Sequence, residues 1–167
     1  MAGGSAAAGI AGILERGFDR LVDLAALIAA LLVVGLGLWV TYDVAMRYLF
    51  LTPTSFLSDL SEYALVWITF LAAPWVLRRQ GHVRIDVLIG FCSPRVQRVL
   101  ARVAAAIGLL VCLVMAWKTG ATTYGYFERG VLVARVWQVP QYLTYLPIPL
   151  GCSMMAAEFL RRLAKRT

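Results

Sequence analysis

FLSDLSEYALVWITFLAAPWVLRR, residues Phe56 to Arg79, is the stretch on which the fold turns. Between Glu62 and Arg78 it holds 15 uncharged residues, Tyr63 to Leu77, or about 22 Å of helix. A bilayer core is about 30 Å thick and takes about 20 mostly apolar residues to cross. The run therefore borrows its flanks to span. Either Glu62 comes to the hydrocarbon boundary, or Arg78 snorkels back to the headgroups, or both happen together.

The surrounding chain supports that reading. Of 167 residues, 61% are hydrophobic and 15% charged, whereas globular domains run at roughly 45–50% and about 25%. Three more apolar runs flank the quoted one: 19 uncharged residues between Asp23 and Asp43, 15 from Val103 to Trp117, and 22 between Arg135 and Glu158. The pattern predicts an all-α integral membrane protein with four transmembrane helices near 21–48, 59–78, 97–122 and 138–161. These form a single membrane domain, 13–167, behind a flexible Gly/Ala-rich tail, 1–12.

Sixteen Lys/Arg stand against nine Asp/Glu, but they lie between the apolar runs and form no separate basic domain, so no nucleic-acid partner is expected. Their distribution reads as topology. The amino-terminal segment, the second loop with its flank and the tail carry twelve of the sixteen, which puts both termini in the cytoplasm. Arg16 and Arg20 before an apolar run imitate a secretory signal, but no small-residue cleavage site precedes Asp43 and Arg47. Ile13, Leu14, Phe18, Leu21 and Val22 share a helical face opposite Glu15, Arg16, Asp19, Arg20 and Asp23. This predicts an amphipathic interfacial segment that lies along the inner surface before the chain turns inward.

Ser93-Pro94 marks a helix start, with Ser93 as cap and proline at the first helical position. Arg95, Arg98 and Arg102 then share a face and are candidate contacts for anionic lipid. From Pro94 to Tyr126 a continuous helix of 33 residues would run about 50 Å, so it must tilt strongly or protrude, as a brace along a larger partner would.

Catalytic chemistry is thin. His82 is the one histidine, which excludes a bis-histidine haem site. Cys92, Cys112 and Cys152 have neither CxxC nor zinc spacing and read as small packing residues. There is no Walker-type loop, GxSxG or HExxH. The chain is read as non-enzymatic, with no catalytic, metal or cofactor site.

The polar residues that remain are structural or intersubunit candidates. Asp59 and Glu62 suit a capping-box-like start, with Ser58 or Asp59 as cap. Near the membrane they also call for a partner, and Arg47, four residues after Asp43, is an in-chain candidate. A bridge within the chain and a contact to another subunit are both open. Pro74 lacks an N–H and opposes the Phe70 carbonyl, so it is expected to kink the second helix. Pro147 and Pro149 are expected to kink the fourth, unless Pro147 begins a shorter helix. Gly35, Gly37, Gly151 and Ser153 allow close helix contact. In HVRID, His82, Arg84 and Asp86 share one side if the segment is extended, either as exposed loop residues or as a cytoplasmic contact with the scaffold or a lipid headgroup.

With these residues in view, YDVAMRYLF (42–50) and FLSDLSEYALVWITFLAAPWVLRRQGHVRIDVL (56–88) resemble the DctQ-type small membrane subunit of TRAP transporters, the tripartite ATP-independent periplasmic family. The matching positions are Arg47-Tyr48, Asp59 and Glu62, Trp67 to Ala73, and His82 to Asp86. The Trp117 region and YLPIPLG look like the family's third and fourth helices. Ala73-Pro74 departs from the pattern, since small residues without proline are usual there. The resemblance implies a scaffold subunit in the bacterial inner membrane beside a large DctM-type subunit, which carries the transport domain with the sodium and substrate sites. A periplasmic DctP-type binding protein docks to the complex and delivers an organic acid or related solute, and membrane lipids surround it. Read without the resemblance, the chain also suits a small autonomous proton-coupled homo-oligomeric transporter built around Glu62, or an anchor subunit of a respiratory complex.

Overall fold

A computed structural model describes residues 3–50, 55–79, 93–132 and 139–165. Within them the chain is helical apart from short connections and one isolated β-bridge, between Leu132 and Pro140. Four helical stretches are long and apolar enough to cross a membrane: Glu15–Leu49, Leu60–Arg79, Arg95–Arg129 and Gln141–Ala164. The chain is an all-α membrane protein.

Helix α1, Gly3–Phe50, runs unbroken for 48 residues, about 70 Å. The helix takes in residues 3–12 of the stretch expected as a tail, where Ala6, Ala7, Ala8 and Ala11 are strong helix formers among the interspersed glycines. No turn separates an interfacial segment from the first span: no proline lies between Glu15 and Asp23, and the lone Gly17 is accommodated within the helix.

Helix α2, Ser55–Arg79, continues through Pro74 without a break, and the Pro74 side chain is fully buried. Ser58 and Asp59 lie inside α2, about a turn past its start, so neither caps it. The helix begins one turn before the acidic residues.

Helix α3, Pro94–Arg129, has 36 residues, about 54 Å. Ser93 is its N-cap and proline follows at the start, as expected. The Ser93 side chain makes no capping bond, but its carbonyl accepts the Gln97 N–H at 3.1 Å. At the other end Gly130 adopts φ 58°, and the N–H groups of Gly130 and Val131 close back on the carbonyls of Phe127 and Tyr126. A left-handed C-terminal glycine of this kind satisfies carbonyls the helix leaves open.

The fourth span is jointed. A short helix α4, Gln141–Tyr145, meets helix α5, Pro147–Lys165, at Leu146, whose N–H bonds to the Tyr142 carbonyl. Pro147 therefore starts a helix instead of kinking one, and Pro149 follows in the same first turn, where missing N–H groups cost nothing.

Burial patterns and packing give the order of helices. From Val22 to Leu49 the residues of α1 that are not exposed fall at 22, 25, 26, 29, 32, 36, 43 and 46, a seam with a period near 3.5 residues, enough for one neighbour. That neighbour is α2, which also packs on α5, which in turn packs on α3. The four long helices thus form an open row, α1–α2–α5–α3, with α1 and α3 at its ends. The chain exposes 11973 Å², against about 8,200 Å² for a compact protein of 18.4 kDa.

Small side chains set the seams. The buried apolar residues include Val22, Ala25, Ala29, Ala101, Cys112, Cys152 and Ala156. Gly151 packs directly against the Phe70 backbone, and Gly108 lies under the Phe159 ring. Gly35 and Gly37, expected at a helix contact, have nothing within 4 Å of where a Cβ would stand. They lie off the seam toward α2.

Candidate functional site

Glu15, Asp19 and Asp23 recur every fourth residue and so form one acidic stripe on α1. The row of helices brings the cationic ends of α2 and α5 against it. Arg78 reaches Asp19 Oδ1 at 3.3 Å and the Asp19 carbonyl at 3.4 Å, and its Nη2 donates to Asp23 Oδ1. Arg161 donates to Asp19 Oδ1 at 2.6 Å, lies 3.9 Å from Glu15 and 3.6 Å from Glu158, and stacks 5.5 Å from the Phe18 ring centre. Arg162 donates to the Leu77 carbonyl and holds Glu158 Oε1 at 3.9 Å through Nε.

Glu158 is the buried charge in this cluster, 8% exposed. A carboxylate so enclosed is costly unless cations face it, and Arg161 and Arg162, three and four residues on, do so. Glu158 Oε2 and Arg161 Nε have no hydrogen-bond partner, so that side of the pair is held by charge alone. The cluster joins α1, α2 and α5 at one end of the row. Its effect is to fix three helix ends relative to one another.

At the opposite end Arg47 bonds to Asp43 at 3.1 Å. Glu62 is exposed on α2 and Trp67 is half-buried there. Asp59 lies on α2; His82, Arg84 and Asp86 fall outside the described residues. The aromatic residues at this end clamp α4 to α3: Tyr126 and Tyr145 are 5.1 Å apart, and Phe127 meets Tyr142 edge-on at 5.4 Å. Arg95, Arg98 and Arg102 are exposed on α3.

Polar groups within the spans are answered locally. The hydroxyls of Thr41, Thr69, Thr119, Thr122 and Thr123 each donate to the carbonyl four residues back, and Ser153 to the one three back. Such bonds hide the hydroxyl from its surroundings. Tyr63 Oη and Thr144 Oγ1 are buried without a hydrogen-bond partner, one on α2 and one on α4, which pack together.

Sequence reasoning missed the cross-helix cluster. Its signal was present in the four-residue spacing of Glu15, Asp19 and Asp23, but Arg78, Arg161 and Arg162 had been accounted for as topology charges.

Residues 36–167 match the family model described as "Tripartite ATP-independent periplasmic transporters, DctQ component". The chain is 20% identical, over 93% of its length, to the isethionate TRAP transporter permease protein DctMQ of Oleidesulfovibrio alaskensis, of which it covers 24%. It is 21% identical, over 71% of its length, to the C4-dicarboxylate TRAP transporter small permease protein DctQ of Vibrio cholerae, of which it covers 60%. A putative TRAP transporter small permease protein of Haemophilus influenzae is 24% identical, with 77% of this chain and 78% of that protein covered. The chain thus spans about a quarter of the first of these relatives and three fifths of the second.

Proposed function

Because this chain belongs to the DctQ component family of tripartite ATP-independent periplasmic transporters, we propose that it is the static scaffold subunit of such a transporter, held against a larger membrane subunit that moves the solute. The observation that carries this reading is the open row of helices. Its end helices are covered from one side only, α1 by α2 and α3 by the two parts of the fourth span, and five threonine hydroxyls along the spans are turned back onto their own backbones. A wall for a moving neighbour needs width and rigidity, and no solute route of its own. Most of the Oleidesulfovibrio protein lies beyond the match, which leaves room on that polypeptide for a larger membrane part.

In this reading the chain sits in the bacterial inner membrane with both termini cytoplasmic, so the ion cluster lies at the cytoplasmic end. A periplasmic binding protein delivers the solute, and uptake is driven by sodium bound on the large subunit. The printed names of two relatives, for isethionate and for a C4-dicarboxylate, both denote small organic anions, which makes that class the first to assay. Glu62 and Arg47, exposed at the periplasmic end, are contacts to the neighbouring subunit or to its lipid shell.

Reconstitution tests the proposal. Proteoliposomes holding this chain, its large subunit, the binding protein and an inward sodium gradient are expected to accumulate the solute, and those lacking any one of these are not. Arg47→Ala or Glu62→Ala should lower recovery of the large subunit in a pull-down. Uptake by this chain alone, driven by a proton gradient, would replace the scaffold reading with that of an autonomous transporter.

A further inference from the structure

Six threonines stand among the described residues, and five of them turn their hydroxyl onto the carbonyl four residues back. Thr144 is the exception. Its Oγ1 is buried with no hydrogen-bond partner, and the carbonyl of Pro140, four residues back, already accepts the Leu143 N–H at 3.1 Å. Tyr63 Oη on α2 is buried and unpartnered in the same way. Register relates the two hydroxyls. Gly151 of α5 packs on the Phe70 backbone of α2, and Tyr63 and Thr144 each stand two helical turns, about 10 Å, before that contact. The helical path runs through the joint, because Leu146 keeps right-handed helical angles. Further along both helices Arg162 donates to the Leu77 carbonyl, so α2 and α5 run the same way. Tyr63 and Thr144 therefore lie at one level, where α2 meets the jointed fourth span.

We infer that a water molecule is bound at this level and bridges Tyr63 Oη to Thr144 Oγ1. Within a bilayer no bulk solvent answers an enclosed hydroxyl, so it is met inside the fold. A buried water makes about three hydrogen bonds to groups the protein leaves unmatched, and the joint supplies them. Each hydroxyl can donate or accept. Pro147 and Pro149 bring no N–H to the carbonyls of Leu143 and Tyr145, four residues earlier and on either side of Thr144, which adds acceptors. Burial selects water over a larger occupant, because both oxygens are enclosed by this chain and out of reach of a neighbouring subunit. The bridge ties the joint of the fourth span to α2 at the end away from the ion cluster, and it does not depend on the large subunit.

Water-edited solid-state NMR of the full chain in lipid bilayers, with isotope-labelled tyrosine and threonine, tests the inference. Magnetisation from water is expected to reach Tyr63 and Thr144 but not Thr69, whose hydroxyl is bonded to its own helix. A soluble paramagnetic chelate should quench the transfer at Tyr48, which is 82% exposed, and leave it at Tyr63 and Thr144. Tyr63→Phe should lose the water signal at Thr144, and Thr144→Val the signal at Tyr63. Helical content by circular dichroism checks that each variant is folded, and the wild-type spectrum decides the matter where a variant is not. No transfer to either hydroxyl, quenching of both by the chelate, or an undiminished Thr144 signal in folded Tyr63→Phe would each overturn the bridge. Loss of the signal when sodium is replaced by choline would overturn the water in favour of a bound cation.

Discussion

At Gly151 two helix backbones meet. A Cβ there would stand 2.8 Å from Phe70 Cβ and closer still to the Phe70 carbonyl oxygen, atoms that cannot step aside without moving α2 away from α5. Gly151→Ala is therefore expected to cost about 1–3 kcal/mol, read as a lower midpoint of thermal unfolding in detergent. Gly108 is equally tight, with a Cβ 2.6 Å from the Phe159 ring, but that obstacle is the far end of a side chain and can swing. Gly108→Ala should cost less than Gly151→Ala in the same assay. Gly35 lies mid-helix with nothing within 4 Å, so Gly35→Ala should leave the isolated chain unchanged or steadier by about 0.5–1 kcal/mol through helix propensity. The sequence marked Gly151 and Gly35 alike as small residues suited to close packing. What separates them is the angular position of each relative to a neighbour, which a glycine does not encode.

Between elements, two contacts can be measured directly. Asp19 and Arg161 are 142 positions apart in the chain and 2.6 Å apart in space. Arg161 is mostly enclosed whereas Asp19 is two-fifths exposed, so solvent screens part of their attraction. A double-mutant cycle with Asp19→Asn and Arg161→Gln is expected to give a coupling of about 0.5–2 kcal/mol, weaker in high salt. No coupling at low salt would mean that α5 does not reach α1. Along the α5–α3 seam, Cys112 and Cys152 are both buried, one on each of two helices that pack together. With Cys92 replaced by serine, a short bifunctional thiol reagent should link them within one chain. After cleavage engineered into 133–138, the two fragments should remain joined on a gel. The helices themselves were legible from uncharged runs and from the Ser93-Pro94 start, because a bilayer demands length and apolarity that composition records. The start of α2 was misplaced since Asp59 and Glu62 imitate a cap, and the fourth span left two readings because proline opens a helix as readily as it bends one.

As a molecule the chain is a row with two differently covered kinds of helix. Trp117 on α3 is 78% exposed, whereas Trp67 on α2 is half-buried. In single-tryptophan variants reconstituted without a partner, brominated lipid should quench Trp117 strongly and Trp67 weakly. Equal quenching would disprove the order of the row. Four spans, the membrane environment and the resemblance to DctQ-type subunits all follow from composition, run length and the 42–88 block, since these depend on what each residue does in lipid or in its own helix. The pairing of α1 with α2, α2 with α5 and α5 with α3, and the meeting of Glu15, Asp19 and Asp23 with Arg78 and Arg161, depend on residues far apart in the chain coming together. Local pattern records which side chains avoid water, but in a span nearly all of them do, so it cannot say which face turns to a neighbour. That choice is made by shape, where alanine, glycine and cysteine let two backbones close and where opposite charges at the helix ends select the partner.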